Sequence, residues 1–122
     1  MLYQNVKYDY FLLQRPIIIN GILIKEIYFN PYWEKHKEEG ISKELIIELV
    51  KLLELFGEKE LGVGKRYDEW VYYNYEPFFY QNKAYCLVWC LEDGKNYIEI
   101  VDCYRESNYE RPKNKVKYGK KN

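Results

Sequence analysis

A single histidine, His36, stands in the whole chain, inside the charged stretch Glu34-Lys35-His36-Lys37. Imidazole is the side chain whose ordinary pKa lets it exchange a proton near neutrality, but one histidine cannot build a multi-histidine metal site. In such a turn it reads either as a proton-transfer group or as an exposed bystander. The three cysteines, Cys86, Cys90 and Cys103, form neither a Cys-x-x-Cys pair nor an even set, which argues against zinc and against a disulfide framework. On a strand, Cys86 and Cys90 would face the same side about 13 Å apart, too far to share one ion. Buried thiols in a reducing cytosol are the simpler reading. The glycine-rich phosphate loop ending in Gly-Lys-Ser/Thr, the Gly-x-Ser-x-Gly elbow and the His-Glu-x-x-His metal pair are all missing, so nucleotide hydrolysis, serine hydrolysis and zinc peptidase chemistry are unsupported. No metal and no cofactor are expected.

The elements that must position these groups follow from periodicity. A chain of 122 residues, 48% hydrophobic and 31% charged, has the size and composition of one globular domain. Residues 2–15 have no clean period and read as an extended arm or edge strand. Ile17-Ile18-Ile19 and Ile22-Leu23-Ile24 flank Asn20-Gly21, whose tolerance of positive φ predicts a hairpin, its second strand running to Phe29 before Asn30-Pro31. Pro31 opens a short helical piece that breaks at Glu38-Glu39-Gly40. Ser42 is placed as an N-cap for a helix over 43–56, with Leu45, Ile46, Leu49, Val50, Leu52, Leu53 and Phe56 on one face and Gly57 at its end. Ile47 and Leu55 fall among the charges. They read either as scattered surface residues or as contacts for a partner protein or a second copy of the chain.

Gly57 to Lys65 reads as a loop. Three strand-like runs follow, Tyr67 to Tyr75, Ala84 to Leu91 and Tyr97 to Arg105, with Pro77 and Gln81-Asn82-Lys83 between the first two. The expected fold is α+β: an N-terminal strand or hairpin, one amphipathic helix, and a mainly antiparallel sheet ending in a three-strand meander. Residues 1–107 form the domain and 108–122 a basic tail. From Arg105 to Asn122 seven Lys and Arg face only Glu106 and Glu110. Lys113, Lys115 and Lys117 belong either to a solubilising tail or to a segment that neutralises RNA phosphates. No apolar run is long enough to cross a bilayer or to serve as a signal core, so a cytoplasmic location is expected. Gln is confined to Gln4, Gln14 and Gln81 and Met to Met1, a bias often seen in thermophile proteins.

The segment Asn30-Pro31-Tyr32-Trp33-Glu34-Lys35-His36, leading through Gly40-Ile41-Ser42 into the helix and then the meander, resembles the RelE/ParE toxin superfamily, in particular its BrnT-type branch, over about residues 22–106. In that branch a Lys-His-Gly-like turn before the helix and an Arg at the end of the last strand recur; Lys35-His36 and Cys103-Tyr104-Arg105 stand in those places. The resemblance implies a metal-independent endoribonuclease of a toxin–antitoxin pair, attacking through the 2′-hydroxyl. Arg105 would then clamp phosphate, with Lys35 beside it. His36 would be base or acid and Tyr104 a donor or stacking platform. Glu99, of the same strand parity as Arg105, would hold that Arg or simply pair with it. The alternative is a non-catalytic protein- or RNA-binding module on the same fold.

Overall fold

In the computed structural model, which describes residues 8–110, six strands form one sheet in the order β1-β2-β6-β5-β4-β3. They are β1 Asp9–Ile19, β2 Ile22–Phe29, β3 Lys65–Tyr67, β4 Trp70–Tyr80, β5 Lys83–Glu92 and β6 Tyr97–Arg105. Neighbours are antiparallel except β2 and β6, which run parallel from Glu26 opposite Tyr97 to Phe29 opposite Ile100. The fold is α+β with a mostly antiparallel sheet. No helix of the described residues is long and apolar enough to cross a membrane.

The hairpin turns at Asn20-Gly21, with φ of 53° and 80°, the left-handed pair that a two-residue type I′ turn needs. Its first strand starts as early as Asp9, so much of the aperiodic N-terminal segment is edge strand. Apolar alternation fails there because β1 slips register against β2 between Leu12 and Ile17, around Pro16. The run from Tyr67 to Tyr75 is not one strand. Asp68, at φ 55°, starts a reversal that separates β3 from β4. Pro77, expected between strands, lies inside β4 at a register shift between Tyr75 and Phe78, after a cis peptide bond. A bulge tolerates the ladder donor that Pro lacks. The reversal itself falls at Gln81-Asn82, both left-handed.

The helix α1 spans Lys43–Leu53, and Ser42 Oγ accepts the Leu45 N–H at 3.1 Å as its N-cap. It stops three residues short of the expected end, because Leu55 and Phe56 bond back three residues rather than four. Ile46, Leu49, Val50 and Leu53 are fully buried with Ile19, Ile24, Leu87, Trp89, Ile98 and Ile100 of the sheet. Ile47 does not stand out among charges; it is half-buried against this core. Leu55 is 74% exposed. The stretch expected as loop holds a one-turn helix, α2 Glu58–Leu61, because Leu61 is drawn into the core at 4% exposure. The fold also runs past Arg105: Ser107–Tyr109 make a 3-10 turn and Glu110 binds back to β5. Lys113, Lys115 and Lys117 lie outside the described residues.

Candidate functional site

Past Phe29 the chain leaves the sheet, and Asn30 N–H makes a last bond to Ile100 O at 3.0 Å. Beyond that point β6 has no strand on its β2 side among the described residues. The 3-10 segment Pro31–Glu39 lies there instead, anchored by buried Trp33 and ended by Gly40 at φ 88°. Backbone donors on that edge still need partners, and carboxylates supply them. Asp102 Oδ1 takes the Cys103 N–H at 2.8 Å, and Glu39 Oε1 takes the Arg105 N–H at 2.9 Å. The other oxygen of Glu39 meets His36 Nδ1 at 2.6 Å, while His36 Nε2 stands 3.5 Å from Asp102. His36 is thus held between two carboxylates with its ring 5.4 Å from that of Tyr104. Burial would raise Glu39, but the Arg105 amide and His36 outweigh it and hold the carboxyl below its ordinary value.

The four residues expected to share a site separate into three places. His36 and Tyr104 come together. Arg105 has only its backbone there; its side chain lies over the Tyr85 ring, on the helix side of the sheet, and its NH2 group contacts both oxygens of Glu110 at 2.9 and 3.0 Å. Glu110 also accepts the Ala84 N–H, and that bond first, with Arg105, lowers its pKa. Lys35 Nζ sits over the Tyr32 ring at 3.6 Å, engaged with its own segment. Glu99 does not hold Arg105. Val101 is an extra residue in the β5–β6 pairing, so the parity of β6 changes after Ile100 and Glu99 faces the opposite side, where it accepts from Asn30.

Along the face away from α1, the row that begins at His36 and Tyr104 continues onto β5 and β4. Tyr104 hydrogen-bonds Cys86, which with burial raises the phenol. Burial pushes Cys86 up to about 12, so it is no nucleophile at neutral pH. Flanking Cys86 are Glu76, delivered by the bulge of β4, and Glu106, just past the end of β6. These two carboxyls hydrogen-bond each other, and that contact, with partial burial, pushes Glu106 up to about 7. Two like charges in contact share a proton instead of both ionising. Among the described residues no three His, Cys, Asp or Glu side chains are grouped to hold a metal ion.

Sequence reasoning missed Glu39, Asp102, Glu76, Glu106 and Glu110. A weak signal existed for Glu39, three residues after His36 in a helical segment, and for Glu76, immediately before Pro77. Comparison with known proteins found no matching family model, no matching curated protein and no matching solved structure.

Proposed function

We propose that this chain is a non-catalytic protein-binding module that grips a cationic side chain of its partner between Glu76 and Glu106. The observation that carries the reading is the like-charge pair itself. Two carboxyls held in contact, one of them pushed up to about 7, form a site where like charge meets like. A partner ammonium or guanidinium between them relieves the repulsion and releases the shared proton. The surroundings favour a cation as well: all nineteen Asp and Glu lie within residues 8–110, against twelve of the nineteen Lys and Arg. His36 and Arg105 are already engaged by Glu39 and Glu110. Affinity should therefore rise with pH through about 7, as Glu106 gives up its proton, and fall with added salt.

A second reading, an RNA-cleaving toxin neutralised by an antitoxin, draws on the placement of His36 beside Tyr104. It requires Arg105 to leave Glu110 for a phosphate. One experiment separates the two. The purified chain is titrated into a fluorescent Lys/Arg-rich peptide at pH 6 and pH 8, and in parallel incubated with RNA. Binding should tighten at pH 8. The pair Glu76→Gln/Glu106→Gln should lose about 10-fold or more, the worth of one charge-assisted hydrogen bond. A control of equal charge loss on the exposed side of α1, Glu44→Gln/Glu48→Gln, should lose much less. Equal losses in both variants refute the binding reading, and RNA cleavage that His36→Ala abolishes establishes the second.

A further inference from the structure

Among the described residues no strand covers the outer edge of β1. β1 pairs with β2 on one side only, and of its first four residues Tyr10 is 59%, Phe11 36% and Leu12 58% exposed. A free edge with apolar side chains is a template for another strand. The pairable stretch has definite ends: Asp9 begins the strand, and Pro16, which lacks an N–H, follows Arg15. Asp9 to Arg15 is seven residues, about 23 Å of strand, and its centre is Leu12.

We propose that two copies of this chain pair antiparallel through β1, about a two-fold axis at Leu12. In that register Asp9 faces the partner's Arg15, Tyr10 the partner's Gln14, Phe11 the partner's Leu13, and Leu12 its own copy. Each contact off the axis occurs twice, as an isologous interface requires. The charges select this register over its neighbours. Sliding by one residue pair at either end sets Asp9 against the partner's Leu13 or the partner's Ile17, an ion opposite a hydrocarbon. In the Leu12-centred register opposite charges meet, and no ion pair within the chain has to break. Asp9 is bound by Lys43 at 2.6 Å and Arg15 by Glu54 at 2.9 Å, so joining Asp9 to the partner's Arg15 extends them into a run of alternating charge.

Beside β1, on the helix side, lies a groove of ≈ 460 Å³ lined by Phe11, Leu13, Ile17 and Lys51 among others. The partner's Phe11, opposite Leu13, reaches its mouth and fills apolar space that one copy leaves open. Pairing consumes the long edge of both copies. The joined sheet then ends on β3, which pairs with Trp70–Tyr72 of β4 and carries Lys65 and Arg66. A two-fold contact through the same edge of both copies closes at two.

Cysteine scanning of the full chain tests both the pairing and its register, because Cys86, Cys90 and Cys103 are buried. Light scattering over 5–200 µM should show the mass moving from 15.0 kDa toward twice that value. Leu12→Cys, across the axis, should form a disulfide-linked dimer under mild oxidation, since opposite Cα atoms of an antiparallel pair lie about 4.5–5.5 Å apart. Tyr10→Cys and Gln14→Cys, whose copies stand several residues apart in this register, should not. Arg15→Glu should raise the dissociation constant about 10-fold or more by facing Asp9 with a like charge. Wild-type mass fixed at one chain throughout, or crosslinking equally efficient at positions 10, 12 and 14, overturns the proposal. Either failure leaves the Glu76–Glu106 reading standing, because that row is on another part of the sheet.

Discussion

Replacing Glu106 by Gln isolates the energetic cost of the carboxyl pair. In the folded chain Glu106 keeps its proton up to about pH 7, against an ordinary value of 4.5, because Glu76 faces it. The sign follows from linkage. A carboxyl whose folded pKa is raised binds more protons folded than unfolded between the two values. Its contribution to stability is complete below the unfolded pKa and declines as pH rises through the folded one. The whole displacement would amount to roughly 3 kcal/mol at 1.36 kcal/mol per unit, but solvent beside a partly exposed pair screens most of it, leaving about 1 kcal/mol. Gln keeps the shape and cannot ionise. At pH 5, where Glu106 is neutral in the folded chain, Glu106→Gln should melt with the wild type. At pH 8 it should melt about 3–5 °C higher, the shift expected of 1 kcal/mol in a domain of this size. Calorimetric melts at both pH values read this directly. A melting difference that is the same at pH 5 and pH 8, or an NMR titration placing Glu106 near 4.5, would refute the reasoning.

Three further outcomes test the scaffold. Leu49 is fully buried on α1, so Leu49→Ala should cost about 2–5 kcal/mol in urea unfolding, with an unchanged m-value if the denatured state is unaffected. A Cβ on Gly64 would meet Val71 Cγ1 at 2.3 Å and the Tyr73 ring at 2.7 Å, so Gly64→Ala should destabilise by about 1–3 kcal/mol although the loop around it is exposed. Ser42→Ala removes the N-cap bond to Leu45 and should cost about 1 kcal/mol, which Ser42→Asp should largely restore.

Local physics made the secondary structure legible. Asn20-Gly21 is a turn because those two residues accept positive φ, and α1 is a helix because its apolar residues repeat at 3.6 behind a serine cap. The strand ending at Arg105 was visible for the same kind of reason. Boundaries were read less well where a tertiary contact outweighed a local preference. Leu61 pulls one helical turn out of a glycine-rich loop, and Pro77 is absorbed by a bulge instead of ending a strand.

The candidate site was mostly illegible. Its members are carboxylates, and the chain has nineteen Asp and Glu that look alike in sequence. What distinguishes Glu39, Glu76, Glu106 and Glu110 is the group each one meets across 66, 30, 30 and 5 residues of chain: the Arg105 amide, Glu106, Glu76 and the Arg105 guanidinium. Charge interactions fall with distance, and those distances are set by the order of strands in the sheet, not by spacing along the chain. One extra residue, Val101, turned Glu99 away from Arg105, and no pattern in the sequence of β6 announces it. The amino-acid sequence determined which segments are strand and helix and that the chain segregates its charge. Only the tertiary structure decided which charges meet, because pairing register and bulges fix the face on which each side chain stands.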